Sequence, residues 1–168
     1  MSAQPVATTP YGADAPFADY ARGRTTLVLL TLVFAMHYVD RQILAVLIPP
    51  IKSEFGVSDT ALGLLSGFAF TVLFSVVGLA VARLADRVDR ARVITVALAT
   101  FTVATALCGA VTAFWQLVAM RLVVGIGEGG TNPPSHALIA DLYPMQRRAA
   151  AMGIYSIGPY VGLTLAFG

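Results

Sequence analysis

The chain is predicted to be an all-α membrane protein, and three observations predict it. Its apolar residues fall in blocks near twenty long, it is 57% hydrophobic with 12% charged residues, and its mean hydropathy is +0.77. Ordinary soluble domains hold roughly 45 to 50% apolar and about 25% charged residues. A water-facing surface would not tolerate apolar blocks of this length. The net charge of +2 discriminates little; where the charges sit decides far more. The single cysteine, Cys108, lies inside an apolar block, which excludes an internal disulfide and reads as a small packing residue.

The first block, Leu27 to Ile48, is long enough to cross a bilayer as a helix, yet it contains Asp40-Arg41. Its thirteen Leu, Ile, Val and Phe residues gain roughly 4 to 8 kcal/mol on an insertion scale, and a central Asp and Arg cost about 5 to 7. The two terms nearly cancel. A helix serving only as an anchor would not give up its surplus, so the pair is expected to face a protein interior or a water-filled cavity. Residues 1–24, with Pro5, Pro10, Pro16, Gly12 and Gly23, show no periodicity and are expected to form a disordered tail. They lack the positive start and short apolar core of a signal peptide.

Helices are predicted over about 25–51, 59–82, 92–112, 114–139 and 149–168, so that residues 25–168 form a transmembrane bundle. Ser58 and Asp59 offer N-cap oxygens to the second helix, after the polar turn from Lys52 to Gly56 has ended the first. The connections are short, so neighbouring helices run antiparallel. Arg22 and Arg24 precede helix one, Arg83, Arg87, Arg90 and Arg92 lie between helices two and three, and Arg147 and Arg148 join helices four and five. All eight fall on one side. The other side has only Lys52, with Phe114 and Trp115 where amphipathic rings settle, so the positive-inside bias places the amino terminus in the cytoplasm, in an inner or plasma membrane. Gly63 and Gly67, Gly125 and Gly129, and Gly158 and Gly162 are each four apart, a spacing that lets helices approach closely.

Asp40, Arg41, Arg121 and Glu128, together with His37, lie at membrane depth. Arg121 and Glu128 are two helical turns apart, on one face but separated by roughly 10 Å along the axis, too far to pair directly. Asp40 and Arg41 from a neighbouring helix, water or a polar substrate are the candidates for the space between them. His37 precedes Asp40 by three and Arg41 by four, within reach of either. Desolvation favours a protonated carboxyl and an adjacent guanidinium favours the ionised one, so movement can switch which influence wins. If Asp40 or Glu128 meets Arg121 in one conformation and loses it in another, a proton is bound and released as the cavity changes sides. The competing reading is a static network of buried ion pairs that fixes helix register, with His37 hydrogen-bonded to a backbone carbonyl.

Gly125-Ile126-Gly127-Glu128-Gly129-Gly130 also fits the dinucleotide pattern G-x-G-x-x-G, which needs a strand before it and a regular helix after it. Pro133-Pro134 interrupts the helix on the carboxyl side of these glycines, and no strand-helix alternation surrounds them. The prolines are read as a kink or break near the end of helix four, with Asn132 and His136 as polar contacts. No metal-ligand spacing and no nucleophile-base arrangement is present, so no metal, cofactor, nucleic-acid partner or enzymatic activity is expected.

Ala82-Arg83-Leu84-Ala85-Asp86-Arg87-Val88-Asp89-Arg90 resembles the loop signature Gly-x-Leu-Ala-Asp-Arg-x-Gly-Arg-Arg of the major facilitator superfamily. Asp86, Arg87 and Arg90 match, while Ala82 and Asp89 stand where the family has glycine. Arg121-x-x-x-Gly125-x-Gly127 is similar to a second signature, whose Arg the family uses in proton-linked transport, and Gly158-Pro159-x-x-Gly162 to the antiporter motif. Tyr38-Val39-Asp40-Arg41, the run from Arg121 to Glu128 and Ile139-Ala140-Asp141-Leu142 most resemble Spinster-type transporters over residues 25–168. The resemblance implies five helices of the amino-terminal six-helix half of a twelve-helix fold, lacking the sixth helix and the carboxyl-terminal half. It also implies proton-coupled, alternating-access transport of an amphiphilic lipid-like molecule or organic anion. Asp40, Glu128 and Arg121 would couple protons, and Arg41, His37, Glu128 and Asn132 would bind substrate. Asp86, Arg87 and Arg90 would gate the cytoplasmic side, clamping against the absent half, and Gly63, Gly67, Gly125, Gly127, Gly158 and Gly162 would pack helices. The alternative is a non-transporting membrane module whose buried charges pair with another subunit, or an inactive truncated transporter.

Overall fold

The computed structural model describes residues 17–63, 67, 69–85 and 87–168, and those described residues are helical apart from short turns. The first helix, α1 (Phe17–Phe55), begins earlier and ends later than expected. The tail expected over 1–24 is therefore helical from Phe17, and its first sixteen residues lie outside the described set. At 39 residues α1 is about 58 Å long, nearly twice the about 30 Å of a hydrocarbon core. Pro49 and Pro50 fall in its last two turns without ending it. Gly56 ends it instead, at φ +62°, donating its N–H to the Lys52 carbonyl at 3.0 Å; glycine alone takes this left-handed conformation freely.

The second span comprises α2 (Asp59–Gly63) and α3 (Ala69–Ala85). Ser58 caps α2 as expected, its Oγ accepting from Ala61 N at 3.3 Å, whereas Asp59 turns back to Lys52 Nζ at 2.5 Å. In α4 (Arg90–Cys108) the Asp89 side chain caps the start by accepting from Arg92 N at 2.9 Å. The fourth span is divided into α5 (Phe114–Gly129) and α6 (Asn132–Leu142). The break falls at Gly130 and Thr131, before the prolines, which occupy the first turn of α6. There their missing N–H groups leave no intrahelical bond unmade and their fixed φ suits a new helix. The fifth span, expected over 149–168, runs as α7 (Met145–Tyr155) and α8 (Gly158–Phe167) with a turn at Ser156-Ile157.

Two helical blocks result: α5 packs against α4 and α3, α1 packs against α8, and α6 touches α1, α3, α4 and α7, joining them. Leu27, Leu30, Ile94, Ile139, Ala151 and Tyr155 form one core cluster. Phe101, Ala104 and Val124 form a second, with Cys108 packed against it. Large apolar side chains such as Val46, Val76, Val96 and Leu165 point outward and are exposed, as suits a membrane segment. The ends sort as the charge pattern predicts. At one end Gly23 lies near the Tyr143 ring and Arg90 pairs with Asp141; at the other, the rings of Phe55 and Phe114 are 6.3 Å apart and Trp115 is exposed.

Glycine makes three of these approaches possible. A Cβ on Gly127 would sit 2.6 Å from Phe101 N, one on Gly158 would sit 2.8 Å from the Thr31 carbonyl oxygen, and one on Gly162 would collide with the Ala35 carbonyl oxygen. Gly125 is buried in α5. Gly63 and Gly67 differ from the expectation: a Cβ on either meets nothing within 4 Å, because among the described residues no helix lies against that face.

Candidate functional site

The crossed geometry of four charged side chains defines the site. Arg121 Nη1 donates to Asp40 Oδ2 at 2.6 Å, and Arg41 Nη2 lies 2.7 Å from Glu128 Oε1. Adjacent residues of α1 thus pair with residues seven apart on α5. The reason is directional: Asp40 and Arg41 leave the helix about 100° apart, so one side chain reaches toward each end of the two-turn interval. The space between Arg121 and Glu128 is bridged by α1, one of the candidates the spacing left open.

Asp40, Arg121 and Glu128 are buried, Glu128 to 1% exposure, whereas the Arg41 side chain keeps 37%. Arg41 is also flanked by rings, its guanidinium carbon 5.1 Å from the centroid of Phe74 and 5.6 Å from that of Tyr38. It is therefore the charged group of the site that opens outward, next to apolar aromatic surface. Glu128 Oε2, Arg121 Nε and His37 Nε2 are buried without a hydrogen-bond partner among the described residues, so the network has polar capacity left over.

His37 does not join the ion pairs, although its spacing put both within reach. Its Nδ1 is 3.5 Å from Thr131 Oγ1, and its ring meets Phe101 edge-on at 4.5 Å. Thr131 donates to the Glu128 carbonyl at 2.8 Å, and Ser135 donates to the Thr131 carbonyl at 2.7 Å. The same two carbonyls also accept the backbone N–H groups of Thr131 and Ser135, so each hydroxyl adds a second donor at the break. Asn132 lies one turn beyond, its Oδ1 accepting from Tyr155 Oη at 2.6 Å, and Tyr155 stacks on Phe34 at 4.8 Å. His136 is exposed, 3.0 Å from the Asn132 carbonyl and edge-on to Tyr155. Sequence reasoning missed Thr131, Ser135 and Tyr155, although Thr131 stands three residues after Glu128, a spacing that places both on one side of a helix.

In the loop between α3 and α4, Asp86 lies outside the described residues, Arg87 is exposed, and Arg90 forms a close ion pair with Asp141 at the end of α6. Arg90 also reaches the Ala137 carbonyl at 3.5 Å. The partner of Arg90 is thus in α6 of the same chain, whereas the loop signature implies a clamp on the other half of the fold. Among the described residues no group of His, Cys, Asp and Glu could hold a metal ion.

Residues 30–168 match the Major Facilitator Superfamily. An MFS-type efflux pump of Mycolicibacterium smegmatis is 41% identical over 77% of the chain, and a D-galactonate transporter of Escherichia coli O6:H1 is 31% identical over 82%. A crystal structure of a bacterial homologue of the human lysosomal transporter Spinster, inward-facing and unoccupied, superposes with a TM-score of 0.81 at 36% identity over 86% of the chain. The chain spans 30%, 32% and 30% of these three proteins. The all-helical fold, the buried charges between the first and fourth spans and these likenesses agree: the chain is an integral membrane segment that belongs to the major facilitator superfamily, a family of transporters and not enzymes, and corresponds to the amino-terminal portion of a Spinster-like member.

Proposed function

We propose that this segment supplies half of the transport site of a proton-coupled, alternating-access transporter for an amphiphilic lipid-like molecule or organic anion. The observation that supports it is the crossed pair Asp40–Arg121 and Arg41–Glu128 between α1 and α5. A proton added to Asp40 removes the charge that holds Arg121, and one added to Glu128 releases Arg41. Each loosens the same contact between helices, so proton uptake and helix movement are coupled. Arg121 tunes both carboxylates. Arg41, partly exposed beside Phe74 and Tyr38, meets the anionic end of the substrate while the rings meet its apolar part. His37 and Asn132 line the site, and the loop holding Asp86, Arg87 and Arg90 gates the end that the arginine distribution assigns to the cytoplasm.

The relatives fit this range: one is an efflux pump and one carries D-galactonate, an organic anion. In liposomes containing the full-length protein, Glu128→Gln is expected to abolish proton-driven movement of substrate with membrane insertion intact. Undiminished coupling would remove Glu128 from the mechanism and return the reading of a non-transporting assembly module. A cysteine introduced beside Gly56 tests orientation, since labelling from the cytoplasmic side alone would reverse the topology.

A further inference from the structure

Both α3 and α4 rest on α5, and between them lies an apolar crevice of about 300 Å³. Val81 and Leu84 of α3 form one wall, Val93 and Val96 of α4 the other, and Gly127 of α5 the floor. Leu84 and Val96 in its walls are exposed, so the crevice reaches the protein surface through apolar side chains. Among the described residues Arg92 is the one charged residue lining it.

The arginines at that end are unequally matched. Arg90 is neutralised by Asp141. Arg83, Arg87 and Arg92 are exposed and have no carboxylate partner among the described residues, and the one nearby described carboxylate, Asp89, is engaged by the backbone N–H of Arg92. By sequence the loop from Arg83 to Arg92 carries four arginines against Asp86 and Asp89, and with Arg90 paired to Asp141 it keeps a small surplus of positive charge beside the apolar groove. Inside hydrocarbon one tail fills such a groove about as well as another, so the headgroup decides which lipid stays. Guanidinium groups grip phosphate oxygens two at a time, and basic pockets between membrane helices select anionic headgroups.

We propose that the crevice between α3 and α4 binds an anionic phospholipid, its phosphate held by Arg92 and one acyl chain lying against Val81, Val93 and Val96. The site is distinct from the transport site. Gly127 faces the crevice while the neighbouring Glu128 faces α1, so the lipid lies about 100° around α5 from the carboxylate.

Native mass spectrometry of the full chain in detergent, with phosphatidylglycerol or phosphatidylcholine of identical tails added, tests the proposal. The unmodified protein is expected to retain phosphatidylglycerol about fivefold better, the effect of one guanidinium at an anionic headgroup. Arg92→Gln is expected to erase the preference, and Val96→Phe at the crevice mouth to lower retention of phosphatidylglycerol. Arg22→Gln, an exposed arginine that does not line the crevice, is expected to change neither. Circular dichroism and monodisperse elution check that each variant is folded. Equal retention of the two lipids by the unmodified protein, an unchanged preference in Arg92→Gln, or an equal loss in Arg22→Gln would overturn the proposal; the last would reduce it to general attraction of anionic lipid.

Discussion

Along α1, two neighbours are held in different ways. Against α8 the contact is backbone on backbone, with Gly158 over Thr31 and Gly162 over Ala35. Against α5 it consists of long charged side chains, Asp40 to Arg121 and Arg41 to Glu128. A glycine contact has no rotamer to change and no charge to lose, so it resists every condition that leaves the chain folded. An ion pair in a low-dielectric interior depends on one proton. On the proposed mechanism the first and fifth spans would move together, and the contact between the first and fourth spans would be the one that changes.

Breaking the charged seam has the largest expected effect. Arg121→Ala leaves Asp40 buried without its partner and is expected to destabilise the protein by about 3 to 5 kcal/mol, measured by denaturation in mixed micelles. Asp40→Asn combined with Arg121→Gln is expected to recover most of that stability while proton coupling stays lost; recovery of coupling would mean that the pair has only a structural role. The glycine seam comes next. Gly162→Ala is expected to cost about 1 to 3 kcal/mol through overpacking against Ala35, at any pH where the chain folds, and a strongly pH-dependent cost would blur the distinction between the two seams.

Smaller effects sharpen it. Tyr155→Phe removes one hydrogen bond to Asn132 and is expected to cost about 1 kcal/mol in the same assay. Gly63→Ala and Gly67→Ala are expected to change stability of this chain by no more than about 0.5 kcal/mol, since a new Cβ meets nothing there. A cost matching that of Gly162→Ala would show that another helix closes on the second span.

What the sequence disclosed depended on the range of the interactions involved. The helical, membrane-type character of the chain follows from apolar runs that each stretch carries by itself, and among the described residues three helices, Arg22–Phe55, Arg90–Cys108 and Met145–Phe167, are long and apolar enough to cross a membrane. Asp40, Arg41, Arg121 and Glu128 stood out because charge at membrane depth is conspicuous without knowledge of any partner. Which acid meets which base was not legible, because it depends on how two helices far apart in sequence are rotated relative to one another. The same holds for Arg90 and Asp141, and for Gly63 and Gly67, whose spacing equals that of Gly158 and Gly162 but whose surroundings differ. Pro133 and Pro134 announced a break in the fourth span, but its position was set by Gly130 and Thr131, where the bond network around Thr131 makes a separate α6 possible.

That break gives α6 the character of a short lever. At its far end Arg90 ties it to the turn between α3 and α4, near its middle Ile139 is enclosed in the core, and at its near end Thr131 grips the peptide of Glu128. On the proposed mechanism a tilt of α6 would pull on the turn and on the acidic residue at once, linking the two through one short helix.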